Sequence, residues 1–522
     1  MTIREILKQD KTVKESTVRQ FVFGICIGLY FILNLVFFLH HEPYRDEANV
    51  WLMAKYLSPV ELLREIHYQG HPCLWYLLVM PFAKIGLPYR TIEIVSFLIM
   101  LFAAVLFIHN AKLIGLAKIT CLFSPIFLYF YPVVARGYCL IILLLVFIAL
   151  LYEKRFQQPL LYGLLLGLLI QADTIAIGIA GGLSIAWLTE GIYATYFKKR
   201  KKDYLFTAIK GLWIPLCSLV FWILQMAAEV GNIGGGEHAS FSRESFVPDC
   251  KGYAYYMVER LTGWSHRGIL LFGLLVLVAS LLISVCSKQL IGLFVFAFEY
   301  LYMTVFSVLI YGLHIWHFIC LAFVFFWMIW MQQSCAEKKE EKKKDNEGIL
   351  REKVLFVSKY VLNTLAVIFS IACFLHWNSD EERSSLEVAL HGVFSNAGEA
   401  ATFIEENVPT DALIVSTNVS FDTSILAFLE DYRFHWMTDG EEVNHAVYAG
   451  KELEHATVSE VEGWIRDQYP ECEQYYFIVS PESQLDERGD LYNKGTLLYE
   501  SKGKSVHNED YQIYLMKMSN RF

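Results

Sequence analysis

Long apolar runs recur along this chain, and they limit its fold more than any other feature. They lie near 21–39, 91–110, 119–134, 138–152, 160–173, 176–196, 206–226, 267–286, 289–311, 313–331 and 354–375. Crossing the hydrocarbon core takes about 20 predominantly apolar residues. The runs therefore predict a polytopic α-helical membrane protein with eleven transmembrane helices. Only 19% of the residues are charged, against about 25% in an average soluble protein. A further apolar stretch, 72–87, is short and holds Pro81. It reads as a juxtamembrane or re-entrant helix, because counting it as a span would invert everything downstream.

Basic residues set the expected topology. Arg4, Lys8, Lys11, Lys14 and Arg19 precede the first run, which places residues 1–20 in the cytoplasm under the positive-inside tendency. The first run lacks a small-residue cleavage site and reads as an anchor, not a removed signal. Lys112 and Lys118, Lys154-Arg155, the cluster 198–202 and the cluster 338–344 then all fall inside. An odd number of spans puts the C-terminus outside. The expected domains are a membrane part, 21–333, with outer loops 40–90 and 228–265, a charged cytoplasmic connection, 334–353, and a last span, 354–375. A soluble outer domain, 376–522, follows. From 376 onward there are 10 Lys+Arg against 28 Asp+Glu, a net of −18, while the remainder has 34 against 25, a net of +9. A basic membrane part followed by an acidic soluble part reads as two domains in different surroundings, and neither suggests a nucleic-acid partner. The 11 cysteines are scattered without a CxxC spacing and read as small core residues, with Cys250 and Cys472 in water-facing regions.

With this topology, several polar residues share the outer face. Arg45, Asp46 and Glu47 lie in HHEPYRDEANVW, directly after the first span. His71 precedes Pro72; Arg136-Gly137-Tyr138 and Gln171-Ala172-Asp173 form turns between spans; His314 and His317 open a late span. Charge near the bilayer is costly unless it lines a wet or protein-filled cavity, so an acidic pair there is a functional-site hypothesis by default. The loop 228–265, with GNIGGGEHASFSRESF, is glycine- and serine-rich and reads as a lid over an outer cavity. The 334–353 stretch reads as a solvated linker. In the C-terminal domain, 384–407, 423–430 and 459–469 read as helices. Segments 412–416, 475–480, 496–501 and 511–518 read as strands. The alternation argues for a small α/β domain of doubly wound type, for acceptor docking or positioning.

A carboxylate at the membrane surface can act as general base, taking a proton from an acceptor hydroxyl or amine as it attacks an activated carbon. A sugar phosphate on a polyprenyl lipid suits that place: the tail stays in the bilayer and the sugar C1 faces the cavity. The leaving phosphate needs a cation. Arg136 is the first candidate, since a guanidinium matches phosphate as a bidentate fork, and Arg45 the second. Direct displacement by one base inverts the anomeric centre. The same residues have structural readings. Asp46-Glu47 could form an interfacial salt bridge with Arg45 or cap a helix; His71 could be a turn residue; His314 and His317 could be interfacial packing. Gln171 and Asp173 are the weakest site candidates. No cofactor or metal site is assigned. His40, His41, Glu42 and His71 could hold a divalent cation with the acidic pair, but nothing fixes a ligand set.

A first span, then an outer loop with YRDEANVW, then QGHPCLWYLL, and later SPIFLYFYPVVARGYCL, resembles the GT-C glycosyltransferases. The likeness is to the bacterial branch related to protein O-mannosyltransferases, aminoarabinose transferases and Rgt-type lipopolysaccharide glycosyltransferases. It covers roughly residues 20–330. The resemblance implies a polyprenyl-phosphate sugar donor, inverting transfer on the outer face of a bacterial plasma membrane, and the Asp of the pair as catalytic base. That maps onto Asp46, with Glu47 as its neighbour. His71 maps onto the His-Pro position, and Arg136 and Tyr138 onto the Arg-x-Tyr turn. Cys73 stands where the family often has a second Pro, and GLHIWHF lacks an Arg that many relatives carry there, which shifts weight to Arg136. The expectation is an inverting glycosyltransferase acting on an envelope glycan, lipid or protein. The alternatives are a transporter or flippase of lipid-linked intermediates, which would need polar residues through the bilayer midplane and internal repeats, and a non-catalytic envelope-assembly protein.

Overall fold

The structure is a computed structural model that describes residues 3–198, 203–226, 245–287, 290–340, 346–379, 385–416, 418–436, 442–447, 456–480, 485–486 and 494–518. α1 (Ile3–His40) is followed by three short helices, α2 (Arg45–Tyr56), α3 (Pro59–Glu65) and α4 (Leu74–Lys84). The bundle continues with α5 (Thr91–Asn110), α6 (Gly115–Leu122), α7 (Tyr138–Leu151), α8 (Pro159–Ala172), α9 (Ile177–Ile192) and α10 (Tyr204–Met226). It is completed by α11 (Phe246–Thr262), α12 (His266–Ser287), α13 (Ile291–Leu309), α14 (Ile315–Glu340) and α15 (Asn346–Ser379).

Among the described residues, 8 helices are long and apolar enough to cross a membrane. α7 and α8, of 14 residues each, rise only about 21 Å at 1.5 Å per residue and are short for a span. The expected eleven are thus eight long helices with two short ones. The missing span is 119–134. Its apolar run predicts a helix, but α6 stops at Leu122 and turns carry the chain through 123–137. Pro125 and Pro132 withhold backbone donors there. Tyr129 takes a left-handed φ of 67°, and its N–H is given to Asn34 Oδ1 at 3.1 Å. Irregular backbone survives at membrane depth only when buried in protein or lining a cavity, and residues 126–133 are all buried. The segment climbs beside α1: Lys118 lies over Phe23, Tyr129 meets Asn34 and Ala135 reaches Glu47. α4, at 11 residues, is too short to span, in keeping with the juxtamembrane expectation.

α14 is the axis of the bundle, with 89% of its apolar window buried. α10 and α12 instead show rows of exposed Leu, Ile, Val and Phe, such as Phe206, Trp213 and Leu224 or Leu270, Leu274 and Val285. Apolar belts of that extent are expected to face lipid. α8 and α10 approach closely through Gly163 and Gly211: a Cβ at Gly163 would sit 2.1 Å from the Gly211 carbonyl oxygen. Small residues that let backbones meet are the usual device for helix pairs in lipid. The proposed lid divides in two. Residues 227–244 lie outside the described residues, and 246–262 form α11. The 334–353 connection is mostly helical, as the ends of α14 and α15, with 341–345 outside the described residues. The described cysteines are free and mostly buried.

The C-terminal domain contains α16 (Leu386–His391), α17 (Ala397–Asn407), α18 (Val419–Leu426) and α19 (Val458–Gln468). Its strands are β1 (Ile414–Ser416), β2 (Phe434–Trp436), β3 (Glu442–Val443), β4 (Ala456–Thr457), β5 (Gln474–Val479), β6 (Leu485–Asp486), β7 (Gly495–Glu500) and β8 (Gln512–Lys517). The expected single helix over 384–407 is two, broken at Gly392. The sheet order is β3-β2-β1-β5-β8-β7. Only β2, β1 and β5 are mutually parallel, while β3, β8 and β7 join antiparallel, so the sheet is mixed and not doubly wound. Alternation along β5 divides its faces. Tyr475, Phe477 and Val479 pack with Val461 and Ile465 of α19. Ile478 joins an apolar cluster continuous with the membrane bundle through Phe394, Phe421 and Tyr511. The two domains therefore share one core.

Candidate active site at the start of the second helix

Tyr44 is the N-cap of α2, with extended backbone at φ −115° and ψ −179°. Arg45, Asp46 and Glu47 are its first three residues. Consecutive residues on a helix point about 100° apart, so the acidic pair cannot face one cavity. Glu47 points inward and is fully buried. Its Oε2 accepts the Tyr44 N–H at 3.3 Å and faces His41 Nε2 at 3.0 Å. Its Oε1 accepts the Ala135 N–H at 2.6 Å. Burial pushes the His41 imidazole down, but the Glu47 carboxylate against it more than reverses this and favours the protonated ring. Glu47, expected beside Asp46 as a catalytic group, is instead a bolt between α1, α2 and the turn before α7. Asp46 does not cap the helix; it is the second residue, and its side chain stays 34% exposed.

Asp46 Oδ2 pairs with Arg136 Nη1, and Arg136 Nη2 meets His71 Nε2. His71 Nδ1 lies 3.1 Å from Asp173 Oδ2. Asp173 Oδ1 accepts the Ile175 N–H at 3.0 Å. The carboxylate fixes the tautomer: His71 donates from Nδ1, leaving the Nε2 lone pair to accept from Arg136. The result is an unbroken chain, Asp46–Arg136–His71–Asp173, from four separate stretches of sequence. Burial pushes the Asp46 carboxyl up, but Arg136 and then Arg45 outweigh it and hold the group down at about 2. Asp46 is thus an ionised, partly exposed carboxylate with a guanidinium on it.

Arg45 stands on the other side, Nε 4.0 Å from Asp46 Oδ1, its guanidinium 4.4 Å from the centre of the Phe421 ring. Tyr138 lies edge-on to His71 at 6.4 Å between centroids, and its hydroxyl is 3.2 Å from His317 Nε2. His317 Nδ1 accepts the His314 N–H at 2.9 Å, so Nε2 carries the proton and donates to Tyr138. The His314 ring packs on Trp316 and Tyr311. Gln171, expected in the site, sits behind it. Its amide donates to Ser218 on α10, and its Oε1 accepts from Gln225 Nε2 at 2.7 Å. Gln225 Oε1 in turn accepts the Cys73 N–H at 2.9 Å, so this polar ladder supports the His71 loop from below. The cation grouping does not form: His40 turns back to the Val36 carbonyl, His41 is committed to Glu47, and among the described residues no three His, Cys, Asp or Glu side chains converge as a metal site. Sequence reasoning missed Gln225 and Tyr131, which stacks on Tyr138 at 5.4 Å. An amide at the last turn of an apolar helix was the available signal for the first.

Glu47→Gln tests the bolt. The Tyr44 and Ala135 N–H groups bind different carboxylate oxygens, so in Gln the NH2 would face one of them; a buried unsatisfied group costs about 1–3 kcal/mol. The expected result is a lower unfolding temperature in detergent for Glu47→Gln than for Asp46→Asn, read by thermal denaturation of the two purified variants.

No family model matches the chain, and no curated protein sequence matches it. Solved structures do. The chain is similar to ArnT from Cupriavidus metallidurans in the apo state, with a TM-score of 0.50 and 10% identity over 96% of this chain and 98% of that one. It is also similar to the same protein bound to undecaprenyl phosphate, with a TM-score of 0.47 and 9% identity over 95% and 97%. The match to the apo structure shows the ArnT fold, a GT-C fold, across nearly the whole chain, including the C-terminal domain.

Proposed function

We propose that this chain is an inverting glycosyltransferase that moves a sugar from a polyprenyl-phosphate donor to an envelope acceptor on the outer face of the membrane. The observation that carries the reading is the Asp46–Arg136–His71–Asp173 chain at one end of the bundle, with Asp46 open to solvent. The ArnT fold agrees with a transferase but does not name the substrate. The site end is taken as outer because Lys112, Lys118, Lys154 and Lys198 gather toward the other end of the same helices, as the positive-inside tendency requires.

Each residue then has a defined part. The donor phosphate competes with Asp46 for Arg136, which His71 and Asp173 hold in register. As the guanidinium turns to the phosphate, Asp46 loses its counter-charge and becomes more basic, so donor binding itself arms the base. The acceptor O–H proton passes to Asp46, the acceptor oxygen bonds to C1, and the C1–O bond to phosphate breaks with its electron pair leaving on phosphate. Arg136 and Arg45 stabilise that charge. Glu47 positions and does not react, and Tyr138, held by His317, lines the wall beside His71.

The test is the purified full chain in lipid nanodiscs with synthetic polyprenyl-phosphate pentoses and hexoses, and an envelope-lipid extract as acceptor. Release of free polyprenyl phosphate with formation of a product of inverted anomeric configuration supports the reading. Flipping of the intact donor in proteoliposomes without cleavage of the C1–O bond would replace it with the transporter.

A further inference from the structure

The first turn of any helix leaves backbone N–H groups without partners. In α2, the Tyr44 N–H is taken by Glu47 from within the same helix. The next donor, Arg45 N–H, is taken by Glu509 Oε1 at 2.9 Å, a residue 464 positions away in the C-terminal domain. Glu509 is fully buried, and its Oε2 accepts from Ser395 Oγ at 2.6 Å. One residue further along α2 is Asp46.

Glu509 lies in the connection between β7 and β8, and that connection is built to present it. Asp510 Oδ1 accepts the Ser505 N–H at 2.7 Å and the Asn396 side chain at 2.8 Å. Asn508 adopts a left-handed φ of 58°, which Asn tolerates better than most residues. The Val506 N–H reaches the Val393 carbonyl at 2.8 Å, and the Asn396 N–H reaches the Glu509 carbonyl at 3.0 Å. On the same connection His507 stacks flat on Tyr44, at 4.1 Å and 4° between planes. Tyr44 and Arg45, the two residues before Asp46, are thus both gripped by one loop of the other domain. A second grip lies farther along α2: Ala446 N–H donates to Asn49 Oδ1 at 2.8 Å, and the Ala446 carbonyl accepts from Asn49 and Gln69.

We propose that Glu509 is a positioning residue for Asp46, and that the C-terminal domain, through the β7–β8 connection, completes the catalytic site of the membrane domain. The inference rests on Asp46 being the base. A negative or hydrogen-bond-accepting group at a helix N-terminus is favoured by the helix dipole; here it also sets where the first turn begins. Misplacement of a catalytic group by about 1 Å can cost on the order of 100-fold in rate. The C-terminal domain is then part of the catalyst, in addition to any role in docking the acceptor.

The experiment uses the full chain in nanodiscs, with Glu509→Ala, Glu509→Gln, Ser395→Ala and Asp46→Asn assayed together for transfer, and hydrogen exchange followed on the α2 amides. Glu509→Ala is expected to lower kcat by about 10- to 100-fold with both KM values within about threefold, and to speed exchange at residues 45–49. Glu509→Gln keeps an oxygen for the Arg45 N–H and should recover most of the rate. Ser395→Ala, which removes the hydroxyl donor from the Glu509 carboxyl and also the acceptor of the Ala397 N–H, covers the case in which Glu509→Ala does not fold; it should lower kcat severalfold at constant KM. An unchanged kcat in Glu509→Ala or, failing that protein, in Ser395→Ala overturns the inference, as does an effect confined to KM. If the wild-type chain transfers no sugar, the transferase reading falls; if Asp46→Asn keeps the wild-type rate, Asp46 is not the base and the Glu509 inference falls with it; if Asp46→Asn is dead while Glu509→Ala is normal, only the Glu509 inference falls.

Discussion

Asp46→Asn is expected to stop sugar transfer while the protein still folds and inserts. The expected loss is about 100- to 10,000-fold in kcat, the usual contribution of a positioned general base. The substitution suits the test because it is isosteric at a side chain that is 34% exposed. Asn keeps the shape and an oxygen toward Arg136, and Arg136 retains its contact with His71. What disappears is the charge that accepts the acceptor proton. In cells, the measurement is mass spectrometry of lipid extracts from the wild type, the variant and a strain without the chain. The variant and the empty strain should both accumulate the same polyprenyl-phosphate sugar and lose the matching sugar from the envelope. A variant that behaves as wild type while the empty strain differs would make the acidic pair structural and turn attention to transport or assembly.

The contrast with Glu47 explains how far the sequence reached. That Asp46, His71, Arg136 and Asp173 meet was legible, because polar residues at the ends of apolar runs have few places to go, and basic clusters fixed which ends lie together. Which of two adjacent carboxylates faces the cavity was not. Either rotation of α2 buries one and frees the other, and the choice is made by contacts with His41 and the Ala135 N–H, both set by tertiary packing. Gln171 failed for a similar reason: Gln171 and Asp173 are two apart at the end of α8 and diverge, Asp173 to His71 and Gln171 to α10. The run 119–134 misled because hydropathy records apolar content and not backbone continuity, and two prolines decide the backbone there. In the C-terminal domain, β5, β7, β8 and α19 lie within a residue or two of their expected places, since each has a clear period. β2, too short to show one, was missed. Glu509 could not be found at all: its partner is a backbone N–H across 464 positions.

Arg136 gives the second large effect, and it separates two tasks. Replacing Arg136 with Gln removes the donor clamp and the counter-charge on Asp46 together. A hydrogen bond to a charged group is worth about 1.5–3 kcal/mol, so losing a bidentate contact to phosphate should raise the donor KM by on the order of 100-fold, at about 1.36 kcal/mol per factor of ten. The second consequence is in the pH profile. In the wild type, burial raises the Asp46 carboxyl but the nearby cations outweigh it and hold the group at about 2. The base is then deprotonated through the whole working range, and Asp46 contributes no acid limb there. Without Arg136 the burial remains and the main opposing charge is gone, so the carboxyl moves up. A higher value means a larger proton-bound, inactive fraction at any given acidic pH. The acid limb of kcat/KM should therefore shift upward, toward the ordinary carboxylate value of about 4 or above it. Arg136→Lys keeps the charge and loses the fork. It should show the raised donor KM with little movement of the limb. The measurement is kcat/KM for donor against pH in nanodiscs for the three proteins. If Gln and Lys shift the limb equally, the charge on residue 136 does not govern Asp46. If neither raises the donor KM, the phosphate is held elsewhere, with Arg45 the next guanidinium to test.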